Sequence, residues 1–127
     1  MPDPSPRTPD EAYRAIIDQL AEHSKVSVTA NRVRGGAPFP ETMVCNPGPS
    51  AINALQAALT PEHRETLAQM LVSERTGGVH DALVTLEWWA STGEVAATFR
   101  GEPIDLDRYE GPHSDFVGRL EGWEWPV

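Results

Sequence analysis

Cysteine is nearly missing from this chain: Cys45 is the only one among 127 residues. An intrachain disulfide is therefore excluded, and so is any CxxC metal or redox motif. A lone thiol fits a reducing compartment, and a cytoplasmic location is expected. Long apolar runs are missing too. A membrane-spanning helix needs about 20 apolar residues, and the longest candidate, near Ala82–Ala90, is interrupted by Thr85 and Glu87. The first residues, Met1-Pro2-Asp3-Pro4-Ser5-Pro6, hold neither a basic n-region nor an apolar h-region, so no signal peptide is expected. Basic residues are scarce: ten Lys and Arg stand against nineteen Asp and Glu, for a net charge of −9. That balance repels phosphate backbones and argues against nucleic-acid binding. Catalytic signatures are lacking as well. There is no G-x-S-x-G elbow, no glycine-rich phosphate loop with a Lys-Ser/Thr follow-on, and no HxH, HxxxH or HExxH spacing. No cofactor is predicted.

What is present reads as a small, mainly helical domain. Residues 1–7 alternate proline with polar side chains and are expected to form a mobile arm. Thr8-Pro9-Asp10-Glu11 is a helix start: Thr8 can cap, Pro9 suits the first turn, and Glu11 completes a capping box. Tyr13, Ile16, Ile17 and Leu20 then recur at helical spacing, predicting a helix over 9–23. Residues 25–34 fit either a strand or a short helix, and the helix is preferred. Ser50 is expected to cap a helix carrying Ile52, Leu55 and Leu59. Thr60-Pro61-Glu62 starts another over 61–76, with Gly77-Gly78 as its stop. Val79, Ala82, Leu83, Leu86 and Trp89 make the strongest helical pattern, widened by Val84 and Trp88 into a central helix. Residues 94–100 and 102–106 read as strands joined by a tight turn at Arg100-Gly101. A last helix is predicted over 112–121. The fold class expected is mainly α (α+β): a compact bundle of about five to six helices with one small antiparallel hairpin near 94–106, in a single globular domain over 8–127.

His80-Asp81 is the most chemical-looking pair. It sits at a predicted helix start, where free N–H groups and positive partial charge collect. Adjacent helical side chains do not face each other, so a site there needs Glu74, His113 or Asp115 as further partners. The structural alternative is that Asp81 helps cap the helix while His80 bonds a nearby carbonyl. His63, His80 and His113 all lie near predicted helix starts, but without metal-ligand spacing. Cys45 lies in a proline-rich loop with no adjacent base, as an idle thiol would. Lys25, Arg32 and Arg34 form the one basic cluster and read as a solvated face.

Four tryptophans are many for this length. Trp88 and Trp89 differ by about 100° in helical direction, so at least one is expected in the core. Trp123 and Trp125 alternate along an extended tail and would face one side of it. That tail either folds back to seal the core or presents an interaction patch, with Trp88 as a further contact.

The run Ser73-Glu74-Arg75-Thr76-Gly77-Gly78-Val79-His80-Asp81-Ala82-Leu83 and the ending Asp115-Phe116-Val117-Gly118-Arg119-Leu120-Glu121-Gly122-Trp123-Glu124-Trp125-Pro126 resemble a family of small bacterial proteins with a domain of unknown function. Its members read ER-x-GG-I-H-D in mid-chain and D-F-x-R-x-E-G-x-x-W-P at the end. The resemblance implies a bacterial, cytoplasmic protein of about this length. It brings no catalytic residues.

The charge is uneven. Residues 1–34 carry five of each sign, residues 35–93 sum to −4, and residues 94–127 sum to −5. A protein-binding domain is the preferred reading, and an immunity-type role against a basic toxin would use this acidity. Glu94, Glu102, Asp105, Asp107 and Glu110 would then share one surface with Trp125. The alternative is a metal-dependent or acid/base enzyme centred on His80, Asp81, Glu74, His113 and Asp115. A homodimer through the Trp88/Trp89 helix or the tail is compatible with either.

Overall fold

Thr8 opens the first helix as its sequence predicts. In the computed structural model, which describes residues 5–127, Thr8 Oγ1 accepts from Glu11 N at 3.1 Å. The Glu11 carboxylate reaches back to Arg7 N at 2.8 Å, one residue before the cap. Helix α1 spans Pro9–Ser24. The expected N-terminal arm lies outside the described residues as far as Pro4. Helix α2 spans Val28–Gly35 and is capped by Ser27, so the ambiguous segment is helical. Helix α3 spans Pro49–Ala58, with Gly48 rather than Ser50 at its N-cap. Pro49 takes the first helical position, where its missing N–H costs nothing. Helix α4 spans Pro61–Ser91, strands β1 and β2 are Thr98–Phe99 and Glu102–Pro103, and helix α5 spans Pro112–Leu120. The fold is mainly α with a small antiparallel hairpin.

The two helices expected on either side of Gly77-Gly78 are one. Neither glycine has positive φ, so neither supplies the left-handed turn of a helix stop. Two interior glycines cost roughly 1 kcal/mol each relative to alanine. The apolar line beyond them, Val79 and Leu83, packs into a core, and that burial outweighs the propensity cost.

The chain divides into two compact units: Met1–Lys25 with Thr76–Val127, and Val26–Arg75. In the first, Tyr13, Ile17 and Ala21 of α1 meet Leu83 of α4 and Phe116 of α5. Phe116 is fully buried, a gain of roughly 2–3 kcal/mol. The hairpin pairs Thr98 with Pro103 and Phe99 with Glu102. Its turn residues, Arg100 and Gly101, have φ of 51° and 82°. Two positive φ angles match the right-handed twist of hairpin strands. The strands are shorter than expected, although one backbone bond continues past Pro103, from Ile104 N to Ala97 O at 2.9 Å.

In the second unit Ala30 and Val33 of α2 bury against Ala68 of α4, flanked by Leu67, Leu71 and Val72. The long loop after α2 is tied down at Phe39, which is itself buried. Asn53 accepts from Phe39 N at 2.7 Å and donates to Phe39 O at 2.9 Å. This amide satisfies both backbone groups, as a neighbouring strand would.

Candidate functional site

Helix α4 aims a carboxylate inward. Glu87 follows Val79 and Leu83 at intervals of four, so it continues the line facing the core. It meets the first turn of α5, where unpaired N–H groups need acceptors. Glu87 Oε1 accepts from His113 N at 2.9 Å, and Glu87 Oε2 pairs with His113 Nδ1. Its side chain is only 21% exposed. Gly111 makes room for it: a Cβ there would sit 2.8 Å from Glu87 Oε1, and the backbone φ is +99°. Glu87 was not among the candidates read from sequence. Its signal was a charged residue continuing the apolar line of Val79 and Leu83.

His80 and His113 come together. Their rings meet edge to face with centroids 5.3 Å apart. His113 Nε2 also lies 3.3 Å from Ser114 Oγ. Asp81 points outward and contacts His80 Nδ1 at 3.2 Å. Asp115 goes elsewhere. It is 1% exposed, accepts the Tyr13 hydroxyl at one oxygen, and accepts Glu110 N at the other at 3.1 Å. Burial, reinforced by the Asp115 hydrogen bond, pushes the Tyr13 hydroxyl above the usual tyrosine range. Glu74 belongs to the other compact unit. Among the described residues, no group of three or more His, Cys, Asp or Glu is placed to hold a metal ion.

The tail folds back. Trp125 Nε1 lies 3.1 Å from both Asp18 oxygens, and its ring sits 5.9 Å from Tyr13, 5.0 Å from Tyr109 and 5.2 Å from Trp123. Arg119 bonds Asp18 and the Trp123 carbonyl, tying α5 to α1 and to the tail. Trp123 packs against Gly118, where a Cβ would lie 3.4 Å from the Trp123 Cβ.

The expectation that Trp88 or Trp89 reaches the core is overturned. They are 60% and 46% exposed, in mutual edge contact at 5.0 Å. The reason is helical phase. At about 100° per residue, both project at least 120° away from Leu83, the buried residue of this stretch. Val84 and Leu86 are also exposed, at 40% and 39%.

At the end of α4 a cleft of about 240 Å³ opens, walled by Ala90, Val95, Ala97, Ile104 and Leu106. Glu87, Asp105 and Asp107 are its only ionisable lining residues. Asp105 Oδ1 accepts Asp107 N at 2.9 Å and so shapes the rim. Neither Asp105 nor Asp107 forms an ion pair among the described residues. The cleft combines an apolar wall with two aspartates, Asp105 and Asp107, that lack an ion-pair partner among the described residues, which suits a long basic side chain with an apolar stem.

No helix among the described residues is long and apolar enough to cross a membrane. Comparison with curated proteins and with solved structures finds no match. The model of the family of unknown function DUF6547 matches residues 6–127, and the chain belongs to that family.

Proposed function

We propose that this chain is a protein-binding domain whose partner presents a basic segment. The observation that carries the reading is Trp88, 60% exposed, on the same turn of α4 as Glu87 and Ser91, which line the acidic cleft. Helical phase sets Trp88 about 60° from Ser91. An exposed indole on the helix turn that borders a cleft holding Asp105 and Asp107 suits a lysine or arginine side chain: the ring takes the stem or the cation, and the two aspartates take the charge. The net charge of −9 would steer such a partner in and turn nucleic acid away. Neutralisation of a basic toxin in the cytoplasm is one setting for this chemistry, and the lone cysteine agrees with that compartment.

An octa-arginine peptide tests the reading, titrated against the full chain at low and physiological salt while tryptophan fluorescence is followed. Asp105→Asn/Asp107→Asn and Trp88→Ala should each weaken binding at least tenfold. Glu41→Gln/Glu62→Gln, which removes the same charge from exposed positions elsewhere, should change it less than threefold. Equal losses in both charge variants would reduce the effect to net charge and refute a located site.

A further inference from the structure

The outer face of α4 has a second property, separate from the acidic cleft. Gly78, Ala82, Thr85 and Trp89 are all exposed and lie within about 60° of one another around the helix axis. They run for roughly 16 Å along α4, about three turns. None is charged. Asp81 points about 70° away from their centre, and Glu87 faces nearly the opposite direction, toward α5. This uncharged strip belongs to a protein with nineteen acidic residues.

We infer that this face is where a second copy of the chain docks, α4 against α4, antiparallel. Two observations select a second copy over other occupants. The first is register. Under a two-fold axis midway between Ala82 and Thr85, Trp89 of each copy falls opposite Gly78 of the other, and Ala82 opposite Thr85. The bulkiest residue then meets the residue with no side chain. A Cβ at Gly78 would have nothing within 4 Å, so this fold alone gives the missing side chain no purpose. Self-complementarity of this kind is what a two-fold interface requires. The second is charge. Two copies at −9 repel wherever carboxylates face each other, and between Gly77 and Ser91 this face has none. An unlike basic partner would gain nothing from an uncharged strip, whereas a like-charged copy can come close there without setting carboxylate against carboxylate. The contact is small beside a standard interface of about 1,600 Å², so the dimer is expected to be dissociable, forming in the micromolar range.

Sedimentation velocity of the full chain across about 1 μM to 1 mM tests this. The mass should rise with concentration from 13.9 kDa toward twice that value. Ala82→Glu places two like charges beside the axis and should weaken association at least tenfold. Gly78→Leu fills the seat for Trp89 and should do the same. Asp81→Asn, off the strip, should leave association within threefold of the parent. Circular dichroism checks that each variant is folded, and both strip substitutions put a better helix former or an exposed polar residue on a solvent face. A mass fixed at 13.9 kDa throughout overturns the inference. So does a dimer that Ala82→Glu and Gly78→Leu leave intact.

Discussion

Gly111 is the position where one methyl group should reveal how α5 is held. Its backbone has φ 99° and ψ 156°, a region populated almost only by glycine and costing other residues roughly 1–3 kcal/mol. An alanine Cβ would also sit 2.8 Å from Glu87 Oε1 and 3.6 Å from Glu87 Cδ. The carboxylate lies at the end of a flexible side chain and can swing away. Doing so removes the acceptor from His113 N, now bonded at 2.9 Å. Losing a helix N-terminal acceptor costs typically about 1 kcal/mol. Gly111→Ala should therefore cost roughly 2–4 kcal/mol, a large share of the about 5–15 kcal/mol that holds an ordinary domain folded. Gly93→Ala is the control. Its φ is +78° with nothing within 4 Å of a Cβ, so it carries left-handed strain alone, about 1–2 kcal/mol. Urea denaturation followed by far-ultraviolet circular dichroism compares the midpoints at unchanged slope. A double-mutant cycle with Glu87→Ala then isolates the cause. If Gly111→Ala already breaks the cap, Glu87→Ala should cost less in that background, with coupling above about 0.5 kcal/mol. Midpoints equal for Gly111→Ala and Gly93→Ala, or strict additivity with Glu87→Ala, would refute the account.

Tyr13 makes stability depend on pH at the alkaline end. Its folded-state pKa is raised by burial and by Asp115, so above about pH 10 the unfolded chain loses a proton that the folded chain keeps. Unfolding free energy should fall there by about 1.4 kcal/mol per pH unit, and Tyr13→Phe should remove that slope; an unchanged slope in the variant counts against the assignment. Gly77→Ala concerns helix propensity. The glycine is exposed in mid-helix with open space around a Cβ, so alanine should stabilise the monomer by roughly 0.5–1 kcal/mol. A loss measured by the same denaturation would mean that the backbone there is not plain helix.

Local chemistry was legible in the sequence. Thr8 and Thr60 lie at helix starts, and both starts carry the proline and acidic residue that mark the first turn. The hairpin turn was legible because Arg100-Gly101 needs two positive φ angles and glycine supplies one of them. What failed were inferences requiring knowledge of which direction is inward. Gly77-Gly78 reads as a stop until one sees that Val79 and Leu83 continue into a core. At least one of Trp88 and Trp89 reads as core because the two point about 100° apart. Their phase relative to Leu83 decides otherwise, and phase is measured against a partner that the sequence does not name. Asn53 holding both backbone groups of Phe39 left no pattern at all. It depends on a loop path joining residues fourteen apart. Of the histidines, the sequence marked His80 and His113 as a pair to watch, but not the carboxylate of Glu87 that orients His113.

The two runs that carry the family resemblance divide by what they do. Those at the C-terminus are mostly accounted for by the fold. Asp115 satisfies Tyr13, Phe116 is buried core, Arg119 ties Asp18 to the tail, and Trp125 closes the aromatic cluster. Gly122 has φ +86° and turns the chain back. In the mid-chain run Val79 and Leu83 belong to the core in the same way, while Gly77 and Gly78 do not. Both are exposed, both lack positive φ, and neither would clash with anything if it carried a Cβ. Each costs its helix roughly 1 kcal/mol relative to alanine. Within the chain nothing is gained in return. Close backbone approach by another molecule is the physical circumstance in which a helix gains from having no side chain. The same helix carries Trp88 and Trp89 in solvent, three turns further on. The contacts proposed for the outer face of α4 account for both the cost without internal return at one end and the two unburied indoles at the other.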